Sequence, residues 1–168
     1  MITMLLNVFD GKRPIRFVVG LGKALRILLL HTVMYRQIRE LVLAQQAADP
    51  AFIGRDVEKY LDKLFDKAEF IVHANKGQCQ GFVAYYCNDY ATLIAYITLI
   101  LVTPACRNSG LGSWLVDCVI QQARKRGFTA CQLEVHSDNE NALSFYEKHG
   151  FRHIRDTGEK THLMQLEF

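Results

Sequence analysis

The segment from Arg107 to Gly112, RNSGLG, has the composition of a loop that binds an anion. It follows the apolar run from Tyr96 to Val102 and precedes an amphipathic stretch that begins at Ser113. Its glycines let the backbone approach a ligand, the first N–H groups of a helix have no partner within the helix, and the helix dipole adds partial positive charge. A phosphate is the natural ligand of such a turn, although short glycine-containing loops also serve as ordinary connections.

Composition and length predict one compact domain. The chain has 168 residues, of which 50% are hydrophobic and 22% are charged, and its formal net charge is +3. This length supports one core with little room for a second, so we expect a single domain over residues 1 to 168. The basic residues are spread over many segments, which favours a small anionic ligand over nucleic acid.

The cysteines and the apolar N-terminal region predict a reduced cytoplasmic protein. The 5 cysteines include no C-x-x-C pair and lie mostly within apolar runs, so we expect neither disulfides nor a metal site. The apolar stretch of residues 16 to 34 is interrupted by Arg16, Lys23 and Arg26, and no small-residue cleavage site follows it. We therefore expect no stable membrane insertion.

Helices dominate the first part of the chain. Apolar spacing predicts one long or two broken helices from Lys23 to about Gln46, and an amphipathic helix from Asp56 to Asp66. A first strand fits either Thr3 to Val8 or Ile15 to Val19. The glycines of residues 16 to 22 do not form a dinucleotide fingerprint, because its third small position falls on Leu25.

Strands dominate the rest of the chain. The runs Glu69 to Ala74 and Gln80 to Cys87 flank a turn containing Gly77, which predicts an antiparallel hairpin. The elements predicted downstream are a strand over 95 to 102, a helix over 113 to 125, a strand over 131 to 136, a helix over 141 to 149, and a hairpin of 151 to 156 and 161 to 168 around Gly158.

Three sequence blocks occur in a fixed order between residues 95 and 151. They are Val102-x-Pro104-x-x-Arg107-x-x-Gly110-x-Gly112, then Leu133-Glu134-Val135, then Asn139-x-x-Ala142-x-x-x-Tyr146-x-x-x-Gly150-Phe151. In this order they resemble the GNAT superfamily of acyl-CoA-dependent N-acyltransferases. The resemblance is clearest over residues 69 to 168. It implies a mixed α/β (α+β) fold whose mostly antiparallel central sheet is splayed between the family's fourth and fifth strands and flanked by helices.

The resemblance implies acetyl-CoA as co-substrate, bound by the end of the fourth strand, the glycine loop and two residues further on. The implied cofactor-binding residues are Ile100, Leu101, Val102, Arg107, Asn108, Ser109, Gly110, Leu111, Gly112, Ser113, Asn139 and Tyr146. Many relatives have Gly and a basic residue where this chain has Asn108 and Ser109, so one flexible position and one charge are missing. Asn139 also fits a second interpretation, the N-cap of the helix that follows.

Two further residues are candidates for proton transfer. The resemblance implies that the Tyr146 hydroxyl lies near the thioester sulfur as general acid, whereas its spacing alone also suits a core aromatic residue. Strand alternation places Glu134 on the face opposite Leu133 and Val135, where it would accept the proton of an attacking amine or remain a plain exposed charge. His136, on the same face as Glu134, is the competing base.

These observations predict an N-acetyltransferase that moves the acetyl group of acetyl-CoA to a primary amine by direct attack in a ternary complex. None of the cysteines falls at a catalytic position of the family, although Cys106 lies near the loop. The alternative is a non-catalytic acyl-CoA-binding regulatory module. A nucleotide binder is disfavoured, because the Lys-Ser/Thr ending of a P-loop is missing.

The acceptor, a small molecule or a peptide, stays open, and so does homodimer formation. The helices over residues 30 to 66 usually shape the acceptor side of such folds. Residues near strand ends that would wall the cleft are Tyr85, Tyr86, Asn88, Asp89 and Tyr96, whose alternative role is that of half-buried sheet residues.

Overall fold

A computed structural model describes residues 6–10, 13–14, 21–54 and 56–168. Its helices are α1 (Leu21–Ala48), α2 (Val57–Lys67), α3 (Leu111–Lys125) and α4 (Glu140–Lys148). Its strands are β1 (Leu6–Asp10), β2 (Arg13–Pro14), β3 (Glu69–Asn75), β4 (Gln78–Tyr86), β5 (Ile94–Val102), β6 (Ala130–His136), β7 (Arg152–Gly158) and β8 (Thr161–Glu167). The strand alternative at residues 15 to 19 lies outside the described residues, whereas β1 overlaps the end of the other alternative.

One mixed sheet contains all of these strands in the order β2-β1-β3-β4-β5-β6-β8-β7. The pairs β1–β3 and β5–β6 are parallel, and the remaining neighbours are antiparallel. The prediction of a mostly antiparallel central sheet is therefore confirmed. In the resemblance described above, the two strands expected to splay correspond to β5 and β6, which pair in parallel.

Local sequence explains most of the element boundaries. Lys76 and Gly77 form the two-residue turn between β3 and β4, and both have positive φ (+49° and +77°), as a turn that follows the twist of a hairpin requires. The Asp56 side chain accepts hydrogen bonds from the N–H groups of Glu58 and Lys59 at 3.1 and 3.2 Å, which fixes the start of α2.

Two boundaries differ from the sequence prediction. The helix expected from Ser113 begins at Leu111, because Gly110 is left-handed (φ +82°) and acts as its N-cap. The hairpin expected around Gly158 turns instead at Glu159 and Lys160, and Gly158 is the last residue of β7.

The sheet is covered on both faces. Side chains of α3 and α4 pack on one face in a cluster that includes Leu115, Val119 and Phe151. Side chains of α1 and α2 pack on the other face in a cluster that includes Ile38 and Leu61. Because burying each such side chain contributes roughly 1.5–3 kcal/mol, the two clusters hold the helices in fixed positions against the strands.

An ion pair joins the C-terminal end of α3 to the start of β3. The Arg126 guanidinium donates hydrogen bonds of 2.5 and 2.7 Å to the two carboxylate oxygens of Glu69, and the Tyr85 hydroxyl donates to the same carboxylate at 3.1 Å. The side chains of Arg126 and Glu69 are only 23% and 16% exposed. This mostly buried network fixes α3, whose other end carries the glycine loop.

Two general features complete the description of the fold. All five cysteines are unbridged. Among the described residues, no helix has both the length and the hydropathy needed to cross a membrane.

Candidate active site

Strands β5 and β6 separate halfway along their length. They pair only from Ile94 with Ala130 to Ile97 with Leu133. Directly after Ile97, Thr98 is an extra residue in the ladder with β4, and this bulge bends β5. Among the strands that the structure describes, the β6-facing edge of β5 therefore has no partner from Thr98 onward, as the predicted splay requires. The cofactor candidates Ile100, Leu101 and Val102 all lie along this stretch, and each remains paired with β4 on its other side.

The loop after β5 presents unpaired N–H groups at the start of α3. Asn108 and Gly110 both have positive φ (+59° and +82°), and the Ser109 hydroxyl donates a 2.6 Å hydrogen bond to the Cys106 carbonyl. The first helical hydrogen bond runs from the Trp114 N–H to the Gly110 carbonyl at 3.0 Å. The N–H groups of residues 111 to 113 thus precede the helical ladder and can donate to an anion.

Two of the predicted cofactor contacts already have partners in the protein. The Arg107 N–H donates to the Pro104 carbonyl at 3.3 Å, and its guanidinium donates to Gln45 Oε1 of α1 at 3.0 Å. The Asn139 Oδ1 accepts the Ala142 N–H at 3.1 Å, so Asn139 caps α4. Arg107 therefore ties the loop to α1, and the capping interpretation of Asn139 describes its geometry.

A cavity of about 410 Å³ lies where the two strands separate. It is lined by Phe52, Ile53, Gly54, Tyr60, Tyr96, Ile97, Thr98, Leu99, Glu134, His136 and Thr161. The Tyr60 hydroxyl lies 3.2 Å from both the carbonyl oxygen and the hydroxyl of Thr98, which fixes one wall at the bulge. The cavity lies on the face covered by α1 and α2, because its lining includes Tyr60 of α2 and residues 52 to 54 of the loop before α2.

Glu134 and His136 both line this cavity. Their neighbours Leu133 and Val135 are buried in the cluster on the opposite face, whereas Glu134 and His136 are exposed, as strand alternation predicts. Since the cavity brings a carboxylate and an imidazole to the point where β6 leaves β5, it offers two proton acceptors to a ligand there.

Tyr146 lies on the other face of the sheet. Its ring packs edge-on against Phe145 and Phe151, and the residue is only 7% exposed. Its hydroxyl makes no hydrogen bond to any residue that the structure describes. Burial raises the pKa of the Tyr146 phenol, so the hydroxyl stays protonated at neutral pH and keeps a proton to donate.

A second cavity, of about 570 Å³, opens beside the glycine loop. It is lined by His73, Gln80, Ala105, Cys106, Ser109, Gly110, Leu111, Ser113, Trp114 and Asp117. Sequence reasoning did not single out His73 or Trp114, whose rings meet edge-on at 5.6 Å, because they come from separate elements, β3 and α3. Cys106 lines this cavity and is absent from the lining of the cavity that holds Glu134.

The five residues predicted to wall the cleft lie in three different environments: the cavity, the core and the surface. Tyr96 lines the Glu134 cavity. Tyr85 is fully buried and bonded to Glu69, so it cannot wall a cleft. Asn88 and Asp89 are exposed, and the Asp89 carboxylate accepts the N–H groups of the turn that follows it. Tyr86 packs against the cluster on the α1 and α2 face.

A model of the Acetyltransferase (GNAT) family matches residues 20–151 of this sequence. The chain belongs to the GNAT family. The GNAT fold expected from the three sequence blocks is confirmed by this match and by the solved relatives.

The relatives extend over different shares of the chain. An uncharacterised N-acetyltransferase of Methanocaldococcus jannaschii is 35% identical over 97 residues, which are 55% of this chain and 42% of that protein. A GNAT-family acetyltransferase of Staphylococcus aureus Mu50 gives a TM-score of 0.67 at 18% identity, over 79% of this chain and 92% of that one. The PaiA N-acetyltransferase of Thermoplasma acidophilum, solved in complex with coenzyme A, gives a TM-score of 0.62 at 18% identity over 83% of this chain and 94% of that one. This chain thus spans less than half the length of the Methanocaldococcus jannaschii protein, and at these identities the two solved structures support the fold.

The candidate anion-binding N–H groups and the cavity that contains Glu134 lie on opposite faces of the sheet. The unpaired N–H groups of residues 111 to 113 belong to the α3 face, and the cavity with Glu134 opens on the face of α1 and α2. Between these two parts of the site, β5 and β6 are no longer paired after Ile97 and Leu133.

Proposed function

We propose that this protein is a single-domain N-acetyltransferase over residues 1 to 168, which transfers the acetyl group of acetyl-CoA to a primary amine in the cytoplasm. The observation that carries the proposal is the separation of β5 from β6 after Ile97 and Leu133. It leaves a strand edge, a helix N-terminus and a cavity with a carboxylate around one gap.

Acetyl-CoA would enter from the α3 side. The N–H groups of residues 111 to 113 would hold its pyrophosphate, with the Ser113 hydroxyl helping, because an anion there gains both hydrogen bonds and the favourable end of the helix dipole. The amide groups of the pantetheine arm would bond to the free edge of Ile100, Leu101 and Val102. The thioester would then lie in the gap between the strands.

The amine would enter from the Glu134 cavity and attack the thioester directly. Its nitrogen forms a bond to the acetyl carbon, the carbon–sulfur bond breaks, and the sulfur leaves with the bonding electrons. The amine's excess proton passes to Glu134, directly or through a water molecule, and the Tyr146 phenol protonates the thiolate. Glu134 would act on the amine nitrogen and Tyr146 on the sulfur, from opposite faces of β6.

The occupied positions of Asn139 and Arg107 favour one alternative, a regulatory module that binds acyl-CoA without catalysis. Both residues are engaged within the protein, and the loop lacks the extra glycine and charge of many GNAT relatives. The two functions separate in one assay, in which the purified chain and acetyl-CoA are mixed with a panel of small amines and N-terminal peptides while free thiol is measured.

Acetyl transfer predicts steady thiol release with at least one amine, and no stoichiometric burst without amine, since no covalent acetyl-enzyme forms. CoA binding with no thiol release across the panel would establish the regulatory module instead.

Replacing Glu134 with glutamine is expected to lower kcat roughly ten- to a hundredfold at neutral pH, because the variant lacks the proton acceptor for the amine. The affinity for acetyl-CoA should not change, because Glu134 is not among the residues proposed to bind it. The matched variant is His136→Gln, which removes the second acceptor of the same cavity and is expected to change kcat less than about threefold. Steady-state kinetics with the best amine measures both. A larger loss in His136→Gln would assign the base to His136.

Replacing Gly110 with alanine is expected to weaken CoA binding about tenfold, because its φ of +82° strains any residue with a side chain by roughly 1 kcal/mol and shifts the N–H groups that follow. Gly127 is the matched control, since it has φ of +80° and open space around it at the other end of α3. Gly127→Ala should lower the melting temperature similarly and leave CoA affinity unchanged. Calorimetric titration with CoA tests this, and equal affinities in the two variants would contradict the role of the loop.

A further inference from the structure

Three side chains of types that bind metals meet on the C-terminal hairpin, outside the lining of the acceptor cavity. His153 and Asp156 lie on β7 and His162 lies on β8. Asp156 Oδ1 lies 2.9 Å from His153 Nε2 and 2.6 Å from His162 Nδ1. All three candidate ligand atoms lie within 4.8 Å of one another, which is the spacing of groups that can share one ion.

A bulge in β7 brings these residues to one face. Residues three apart in a regular strand point to opposite faces, so His153 and Asp156 should diverge. In this hairpin His153 pairs with Met164 and Arg155 pairs with Leu163, which leaves Ile154 as an extra residue. Asp156 then pairs with His162, two residues from Met164, and the bulge restores both ligands to one face.

We propose that His153, Asp156 and His162 form a binding site for one divalent transition-metal ion of the zinc class. Two imidazole nitrogens and one carboxylate oxygen are ligands that Zn²⁺ accepts, whereas Mg²⁺ and Ca²⁺ prefer sites made of oxygen alone. The three side chains are 50%, 62% and 30% exposed, so water can complete the coordination. A bound ion would take the place of any proton shared between an imidazole nitrogen and the carboxylate.

The site is separate from the acceptor cavity. His162 pairs with Val135, whose side chain belongs to the cluster on the α3 face, and paired residues share a face. Glu134 and the neighbour Thr161 line the cavity on the other face. An ion at the hairpin would link the edge strand β7, exposed along its whole length, to β8 without entering the acceptor cavity.

Calorimetric titration of the metal-free full chain with Zn²⁺ tests the site, with Co²⁺ as a probe whose visible absorption reports the ligands. We expect one ion per chain, and at a Zn²⁺ concentration about one hundred times Kd a rise in melting temperature of roughly 5–10 °C. Mg²⁺ should produce neither effect. His153→Gln, His162→Gln and Asp156→Asn should each weaken Zn²⁺ binding at least about tenfold.

Two matched variants control for the loss of an imidazole or a charge elsewhere. His149 bonds to the Phe145 carbonyl and Glu159 lies in the hairpin turn, outside the cluster, so His149→Gln and Glu159→Gln should keep wild-type affinity. The folding of each variant is checked without metal. If His162→Gln unfolds, the test rests on Zn²⁺ titration of His153→Gln, because His153 is the more exposed of the two histidines. Absence of Zn²⁺ binding at about 1 mM, or binding that survives in the folded His153→Gln variant, would overturn the proposal.

Discussion

Replacing Tyr146 with phenylalanine is expected to lower kcat about a hundred- to a thousandfold and to leave acetyl-CoA affinity within about threefold. The change removes the proton that the departing sulfur would receive. It keeps the ring that packs against Phe145 and Phe151, and the lost hydroxyl has no partner among the described residues. Folding should therefore be unaffected, and steady-state kinetics with CoA titration separates catalysis from binding.

The control for this change is Tyr90→Phe, which removes a phenol from an exposed tyrosine that packs edge-on against Phe128. It should leave kcat unchanged. An unaltered kcat in Tyr146→Phe would remove the acid role from Tyr146. A lower kcat accompanied by a lower melting temperature would identify the Tyr146 hydroxyl as structural.

Replacing Arg126 with methionine is expected to lower the free energy of unfolding by about 3 kcal/mol, because it leaves the mostly buried Glu69 carboxylate without its cationic partner. The Tyr85 phenol, whose pKa burial and the nearby Glu69 raise, then faces this charge alone. Urea unfolding measures the change. CoA affinity should fall as well, since the pair fixes the C-terminal end of α3, whose other end carries the glycine loop.

Two comparisons isolate the ion pair from a general effect at the end of α3. Lys125→Met removes an exposed cation from the preceding position, which has no ion pair among the described residues, and should cost less than about 0.5 kcal/mol. Adding Glu69→Gln to Arg126→Met should recover part of the lost stability, because the unpaired charge is gone. Additive losses in the double variant would contradict a coupled pair.

The sequence predicts the elements well where local chemistry decides them. Asp56 caps α2, and Gly77 completes the turn of the β3–β4 hairpin, as their types require. The predicted start of α3 was wrong by two residues, because the helix begins at Leu111, directly after the left-handed Gly110. The parallel pairing of β1 with β3 has no local signal, since it depends on tertiary contacts.

The candidate site could be predicted only in part, because some of its features depend on tertiary contacts that leave no local signal in the sequence. Alternation along β6 is a local property, so the face of Glu134 follows from the sequence alone. The cavity wall from α2 and the bulge at Thr98 do not, because they depend on how distant segments pack. The His153, Asp156 and His162 cluster was missed because only the bulge at Ile154 brings its members together.

A crystal structure with bound CoA tests the central claim most directly, because the chain offers two places for the cofactor. We predict that the pyrophosphate bonds to the N–H groups of residues 111 to 113, and that the sulfur lies between β5 and β6 within hydrogen-bond reach of the Tyr146 hydroxyl, facing the cavity with Glu134. A pantetheine arm seated in the cavity of His73 and Trp114, with its sulfur remote from the gap, would contradict the account.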